Sequence, residues 1–326
     1  MSGWRLVLLA SLVLSPASSR GAVGRAALPI LTQPVSARPA GMAEAYSAES
    51  AGADSLGYNP AGLALSPGPE LLLQYHGGFI GDTLLNAGYA QSAGSFGFGA
   101  SVISYNSGSV DFLDKYGKAV SAAGQRDIAY SGGVAMRLPV AGLAAGIAVK
   151  VVRTQMVEEY SGQALAGDAG LRFDVPGTGL SLAAVAQNMG QEIRIADGSE
   201  QLPEVLRAGA AWRFDIEAEG SRVSGLEGIF EPELRAEPAP HRLLFTCDGI
   251  FRLGDRISSL ALGAEFSYHG FFSLRTGVRA PLYGTGTRNT VASLGIGARI
   301  RWISLDYAVE ATSTTPLHRV SVLFVF

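Results

Sequence analysis

The stretch Ile303-Ser-Leu-Asp-Tyr-Ala-Val-Glu310 decides the fold of this 326-residue chain. Its odd-numbered positions are all apolar or aromatic, whereas its even-numbered positions carry Ser, Asp, Ala and Glu. Successive side chains of a β-strand point to opposite faces, so an alternation of this kind predicts a strand with one apolar face and one polar face.

The same alternation recurs through most of the chain. Working outward from the first stretch, it is found in Ile296–Ile300, Phe272–Arg279, Leu260–Tyr268, Leu206–Asp215, Leu165–Val175 and Ile128–Leu138. A soluble β-sandwich would bury the apolar faces between two sheets, and a membrane barrel would turn them to lipid. Gly and Ser are common at the polar positions, and the segments run for about 9 to 12 residues, longer than an average soluble strand. We therefore predict a transmembrane antiparallel β-barrel of about fourteen strands over residues 69–326.

Composition supports this fold class. Only 16% of the residues are charged and 42 are glycine, yet no run of eighteen apolar residues that could form a membrane-spanning helix follows residue 20. The net charge is −3 with both signs interspersed, so nucleic-acid binding is not expected. The single cysteine, Cys247, can form no internal disulfide, and stability must come from packing and strand pairing.

The first 22 residues have the features of a secretory signal peptide. Arg5 precedes the apolar run Leu6–Leu14, and small residues follow at Ala17-Ser-Ser19. We expect an exported protein. The next segment, residues 23–68, is rich in Ala, Ser, Gly and Pro and lacks the apolar residues needed for a core of its own, so we predict a plug packed inside the barrel.

The plug ends in Gly57-Tyr-Asn-Pro-Ala-Gly-Leu-Ala-Leu65. Asn59 can cap a helical turn, and Pro60 suits the first helical position because the N–H that it lacks would have no partner there. This stretch is predicted to join the plug to the first strand of the wall.

These motifs carry a resemblance to a known family. The chain resembles the PorV/PorQ outer-membrane family, which belongs with the FadL-like fourteen-stranded barrels. The pieces that carry the resemblance are Tyr58–Ala64, Asp168–Leu171, Gln187–Gly190, Leu202-Pro203, Leu305–Ala308 and His318-Arg319. The resemblance implies passive transport of hydrophobic or amphiphilic small molecules, such as long-chain fatty acids, past a plug that shifts and out through a break in the wall.

The resemblance assigns roles to particular residues. The plug or gate would comprise Tyr58, Asn59, Pro60, Ala61 and Gly62. Contacts to a hydrophobic ligand would come from Met42, Tyr46, Leu56, Leu63 and Leu65. A lateral opening would lie at Gly94, Gly97 and Gly99, because glycine weakens strand pairing.

The end of the chain resembles an assembly signal. Phe324 and Phe326 close an alternating apolar strand with an aromatic last residue, as in strands recognised by the barrel-assembly machinery of bacterial outer membranes. The expected location is the cell outer membrane, with its lipids as partners.

The longer connections are predicted as external loops: Asn106–Arg126, Met156–Gln163 and Met189–Pro203.

One further long connection supports an alternative function. Residues 217–240 are acidic and contain proline, and the strand count places them on the periplasmic side. They could bind a protein partner, as in a PorV-like component of a secretion or surface-attachment system.

The predicted interior carries charges of both signs: Arg137, Lys150, Asp168, Arg172, Arg207, Asp215, Glu265, Arg275, Arg299, Asp306 and Arg319. They could form a network across the lumen that holds the plug, or a polar path for the head group of an amphiphile.

Catalysis is not expected. The four histidines show no nucleophile or metal-binding motif, and no dinucleotide loop is present, so no catalytic residue, metal or cofactor is predicted. His318 is the best candidate for a third hypothesis, a lipid-modifying enzyme.

Overall fold

The computed structural model describes residues 28–78, 81–113, 119–156, 160–195, 198–216, 241–253, 257–283, 290–312 and 315–326. The predicted signal peptide and the acidic connection 217–240 lie outside these ranges, so the predictions made for them stay open.

Fourteen strands form a closed barrel in which each strand pairs antiparallel with its neighbours, and the first strand pairs with the last. The prediction of an all-β fourteen-stranded barrel is confirmed. The barrel strands are β1 (Glu70–Gly77), β2 (Thr83–Ala93), β3 (Phe96–Asn106), β6 (Gln125–Arg137), β7 (Leu143–Met156), β8 (Tyr160–Asp174), β9 (Leu180–Gly190), β12 (Val205–Ile216), β13 (His241–Arg252), β14 (Ile257–Tyr268), β15 (Phe272–Tyr283), β16 (Val291–Ile300), β17 (Ile303–Ala311) and β18 (Leu317–Val325).

Two small hairpins form separate two-stranded sheets and do not pair with the barrel strands. They pair β4 (Ser109–Leu113) with β5 (Ala119–Ala123), and β10 (Ile193–Ile195) with β11 (Gly198–Glu200). Both lie in connections that the sequence predicted as long loops, at the end of the barrel that we call the loop end. The opposite end, where β1 begins and β18 finishes, is called the terminal end.

The two faces of the wall differ as the alternation predicts. On β7 and β8, Ile147 and Leu165 point outward and are exposed, whereas Lys150 and Asp168 point inward and are buried. The apolar band therefore lies on the outside, as lipid contact requires. Within the described ranges, no helix is long and apolar enough to cross a membrane.

An N-terminal segment, residues 28–66, precedes the wall. It contains two short α-helices and three 3₁₀ turns: α1 (Ala37–Gly41), α2 (Ser55–Tyr58), Pro29–Thr32, Gly52–Asp54 and Pro60–Leu65. Helix α1 contacts β15 to β18, and the turn Pro60–Leu65 contacts β2, β3 and β6 to β8. These groups of strands face each other across the closed barrel, so the segment lies on the inward side of the wall.

Candidate functional site in the barrel lumen

The stretch around Asn59 forms the capped turn that the sequence predicts. The Asn59 side-chain oxygen accepts a hydrogen bond from the Ala61 N–H at 3.1 Å, and Pro60 begins a 3₁₀ turn. The Asn59 amide also donates to the carbonyl oxygens of Ser47 at 3.0 Å and Leu171 at 3.1 Å. One fully buried side chain thus joins the turn, the rest of the segment and strand β8.

The wall approaches this turn through glycine. A Cβ atom on Gly146 of β7 would lie 2.4 Å from the Pro60 carbonyl carbon, and one on Gly170 of β8 would lie 2.1 Å from the Asn59 side-chain oxygen. Both distances are far below van der Waals contact. The backbone of the segment therefore packs directly on the wall, which explains glycine at these inward positions.

Three of the predicted ligand and gate residues share one apolar cluster. Met42, Tyr46 and Tyr58 are almost fully buried, and the two tyrosine rings meet edge to face with centroids 5.3 Å apart. The cluster also includes residues that sequence reasoning missed: Leu28, Ile30, Leu84, Ile103, Val152, Ile193, Leu202 and Leu244. The alternation of Ile193, Arg194 and Ile195 is the sequence pattern that could have predicted that the β10–β11 hairpin contributes to this cluster.

The remaining predicted ligand contacts lie elsewhere. Leu56 and Leu63 belong to a second cluster with Ala53 and Leu72, whereas Leu65 is only half-buried and joins neither cluster. The five residues are therefore not brought together at one point. Their contact with a ligand stays a prediction.

A small cavity separates the segment from the wall at β2, β3, β6 and β7. Its volume is about 20 Å³, and its lining includes Leu56 and Ile103 together with Asn86 and Lys150. A space of this size holds about one water molecule. A fatty-acid-like ligand does not fit there unless the segment moves.

Arg38 is the centre of one charged cluster. Its guanidinium donates two hydrogen bonds of 2.9 Å to the Glu265 carboxylate of β14, and others to Tyr46 and Glu49 at 3.0 Å. Burial alone would lower the pKa of Arg38, but Glu265, Tyr46 and Glu49 together outweigh burial and raise that pKa well above its usual range. The ion pair therefore stays charged and holds α1 to the wall.

Glu44 is the centre of a second cluster. Its carboxylate lies 2.5 Å from the Arg279 guanidinium of β15 and 3.7 Å from that of Arg207 on β12. Burial would raise the pKa of Glu44, but these arginines lower it below its usual value. On the wall, Arg319 pairs with Glu310 at 2.8 Å and donates to Gln33 of the segment at 2.8 Å.

The predicted network is thus present in large part. Eight of the eleven predicted interior charges are buried: Lys150, Asp168, Arg172, Arg207, Glu265, Arg275, Asp306 and Arg319. Arg137 donates to the Ala64 carbonyl oxygen, whereas Asp215 and Arg299 lie exposed near the terminal end.

Asp54 is half-buried and is the one carboxyl of the described segment that forms no ion pair with a described residue. The Ser36 hydroxyl donates to one of its oxygens at 3.4 Å, and its other oxygen is buried with no hydrogen-bond partner within the described ranges. Burial, helped by the nearby carboxylates of Glu70 and Glu49, raises the pKa of Asp54 to about 7 against the opposing effect of Arg38.

The predicted lateral-opening glycines occupy different settings. Gly94 has a φ of +61° in the turn after β2, which favours glycine. Gly97 and Gly99 face Leu63, and a Cβ on Gly97 would lie 2.1 Å from the Leu63 carbonyl oxygen. Strand β3 pairs without a register shift with both neighbours. The structure thus shows a packing reason for Gly97 and Gly99, and an opening there stays a prediction.

The residues at the chain end and His318 lie on the wall. The Phe324 and Phe326 rings lie 5.7 and 6.2 Å from the Trp302 ring. The His318 Nδ1 lies 2.6 Å from the Tyr307 hydroxyl in an exposed pair. In the part of the chain that the structure describes, no group of three or more potential metal ligands is found.

Several solved structures share this fold. The CymD monoaromatic hydrocarbon channel matches with a TM-score of 0.55 and 11% identity, over 90% of this chain and 97% of CymD. The Ralstonia pickettii toluene transporter TbuX matches with a TM-score of 0.53 and 13% identity, over 88% of this chain and 98% of TbuX. A Pseudomonas aeruginosa FadL homologue matches with a TM-score of 0.52 and 12% identity, over 90% of this chain and 98% of the homologue.

The sequence itself matches no family model and no curated protein. The PorV/PorQ resemblance therefore stays a prediction from the residues. At such low identity, the structural likeness concerns the fold alone: this chain has the barrel fold of these solved structures.

Proposed function

We propose that this protein is an outer-membrane channel for passive transport of hydrophobic or amphiphilic small molecules of the long-chain-fatty-acid kind. The described residues 28–66 would act as its plug. The channels and transporters that share the fold are named for hydrocarbons or for FadL, which supports a cargo of this class.

One observation carries the proposal. Large apolar side chains, among them Ile30, Met42, Ile193 and Leu202, pack inside the barrel against large apolar residues on the inward face of the wall, such as Leu84, Val152 and Leu244. A pore for hydrophilic solutes gains nothing from such a lining, whereas a hydrophobic solute gains roughly 25 cal/mol for each Å² of apolar surface removed from water.

The plug would also be the moving part. The ion pairs of Arg38 and Glu44 hold the segment against the wall, and the cavity beside Leu56 is too small for an acyl chain. In the proposal, a ligand binds the apolar cluster when the segment shifts. Tyr58, Asn59, Pro60, Ala61 and Gly62 would transmit this shift to the first wall strand.

Binding of a fluorescent long-chain fatty acid to the purified, lipid-extracted protein tests the proposal. We expect saturable binding, and weaker binding by about tenfold or more when Met42→Asp places a charge in the apolar cluster, because burying an unpaired charge is costly. The matched control is Leu282→Asp, which changes an exposed outward residue far from the cluster.

Uptake measurements complete the test. A strain lacking the protein should take up long-chain fatty acids more slowly and recover when the wild-type protein is restored. If the purified protein binds no such ligand and the deletion strain grows on fatty acids at the normal rate, the transport proposal is wrong.

A further inference from the structure

A broad depression of the described surface lies near the loop end of β6, β7 and β8. Its volume is about 730 Å³, and its lining includes Arg126, Arg153 and Arg194 together with Gln155, Ser161 and Gln163. The three arginines are exposed. We call this depression the arginine groove.

Arg126 and Arg153 point away from the lumen. On β6 the inward positions are the buried Asp127 and Ala129, and on β7 they are the buried Val152 and Thr154. Because side chains alternate along a strand, Arg126 and Arg153 must lie on the lipid-side face. Register places Gln155 opposite Arg126, and Ile128 and Gln163 on either side of Arg153.

Among the described residues, the arginines of the groove have no anionic partner. The side chains of Arg126 and Arg194 form no hydrogen bond or ion pair with any described residue, and Arg153 donates only to the Gln163 amide oxygen at 3.2 Å. In contrast, the buried lumen arginines Arg207, Arg275 and Arg319 are all ion-paired. The described lining of the groove therefore carries an excess of positive charge.

Asp127 is the one acidic residue among the described residues of the lining, and its side chain points inward. Asp127 is buried, and its oxygens accept hydrogen bonds from the Thr154 hydroxyl at 2.6 Å and from the Gln125 amide at 2.8 and 3.0 Å. Its oxygens are thus occupied by neutral donors, and it forms no ion pair with an arginine of the groove.

An apolar stripe continues from the groove toward the middle of the wall. Ile128 pairs with Arg153 across β6 and β7. At the next outward-facing position toward the middle of the wall, Tyr130, Val151 and Leu165 lie side by side. Tyr130 and Leu165 are exposed, at 48% and 49%. A ligand that fits both features has an anionic head group and acyl chains.

We propose that the arginine groove binds the phosphate group of an anionic lipid in the leaflet at the loop end, with the acyl chains of that lipid along the stripe of Tyr130, Val151 and Leu165. Arginine recognises phosphate by paired, charge-assisted hydrogen bonds, and the amides and hydroxyl of the groove supply further donors. The inference rests on the proposed membrane location but not on transport.

Native mass spectrometry of the full-length protein in mild detergent tests this proposal. The probes are lipid A with both phosphates and a dephosphorylated lipid A with the same acyl chains. We expect the phosphorylated lipid to bind, and its affinity to fall about fivefold for each arginine replaced in Arg126→Gln and Arg126→Gln/Arg153→Gln. The dephosphorylated lipid should bind no better to the wild type than to the double variant.

Arg301→Gln is the matched control, because Arg301 is exposed in the turn at the opposite end of the wall. It should bind the phosphorylated lipid as the wild type does, and every variant should keep a heat-modifiable, folded form on gels. Equal affinity of the double variant and the wild type for phosphorylated lipid A would overturn the proposal. So would displacement of the lipid by millimolar inorganic phosphate, which would indicate a site for a soluble anion.

Fatty-acid binding, measured on the same preparations, distinguishes a failure of the lipid-binding proposal from a failure of the transport proposal. The double variant should bind fatty acid normally. If it loses fatty-acid binding and keeps lipid A, the groove serves the cargo and the lipid proposal is wrong.

Discussion

Asn59 connects the Pro60–Leu65 turn, the rest of the N-terminal segment and strand β8 through one side chain, so its removal should loosen the segment. Asn59→Ala deletes the cap of the Pro60–Leu65 turn and leaves the Ser47 and Leu171 carbonyl oxygens without their buried donor. We expect a loss of about 2–3 kcal/mol in the free energy of unfolding. Urea titration followed by tryptophan fluorescence measures it.

The control is Asn106→Ala, which removes a side-chain hydrogen bond to the Gly108 N–H in a half-buried turn at the loop end. That change should cost well under half as much. If the two variants are equally stable, the interactions of Asn59 across the lumen contribute little.

Asp54 makes the stability of the segment depend on pH. Its pKa is about 7 in the folded protein, against 3.8 for an ordinary aspartate. Because the folded state holds the proton more tightly, this contribution to stability is complete below about pH 4 and is lost as the pH rises through 7. Over that window we expect a loss of about 1.4 kcal/mol for each pH unit at most.

Asp54→Asn isolates this effect from the histidines, which titrate in the same range. The stability of the variant should change less between pH 5 and pH 8 than that of the wild type, with urea midpoints as the measurement. Asp215→Asn, at an exposed carboxylate paired with Arg242, should leave the wild-type slope unchanged. Parallel profiles for wild type and Asp54→Asn would count against a protonated Asp54.

The Pro60–Leu65 turn packs directly on the wall strands. Gly146→Ala should displace this turn, because the new methyl group would lie 2.4 Å from the Pro60 carbonyl carbon. The strand ladder itself is untouched, so we expect a folded, heat-modifiable barrel whose N-terminal segment is cleaved by protease at least tenfold faster.

Gly132→Ala is the control, since nothing lies within 4 Å of a Cβ at this outward position of β6. Its segment should be as protected as that of the wild type. If Gly146→Ala is equally protected, the wall can yield at β7, and direct backbone packing does not hold the segment.

The strands were predictable from the sequence and the lumen contacts were not, for a physical reason. Alternation reports which face of a strand is apolar, and in Ile303–Glu310 it can be read from neighbouring residues alone. The cap at Asn59 was equally local. The bond from Asn59 to Leu171, however, spans 112 positions, and no local pattern indicates which strand a turn will meet.

The glycines show the same limit. Gly97 and Gly99 were predicted as weak points of a strand, a reading that depends on glycine alone, whereas the structure places both against Leu63. Ile193 and Leu202 lie in a connection that the sequence predicted as a loop, so they were left out of the lumen. Their burial follows from the closed barrel, which brings the β10–β11 hairpin over the apolar cluster.

For the molecule as a whole, the wall and the segment form one packed body. Ion pairs from Arg38 and Glu44 hold the segment to strands β12, β14 and β15, whereas Asn59 holds it to β8 on another side. A closed lumen of this kind permits transport only if some of these contacts break while the wall remains intact.

A disulfide between the segment and the wall tests whether this movement is required. An ideal Cβ on Gly263 lies 2.8 Å from the Met42 Cβ, so Met42→Cys/Gly263→Cys needs the backbones to separate by about 1 Å to reach disulfide geometry. Cys247 is first replaced by serine to prevent wrong pairing. Once oxidised, the variant should take up fatty acid at least tenfold more slowly, and reductant should restore its rate.

The two single-cysteine variants separate the cross-link from the substitutions. Each should form a heat-modifiable barrel whose uptake does not respond to reductant, even if its rate differs from that of the parent. If the fully oxidised double variant transports as fast as its reduced form, then α1 and Met42 stay in place during transport. The path would then have to open at the other contacts, around Asn59 and the Pro60–Leu65 turn, where Gly146→Ala acts.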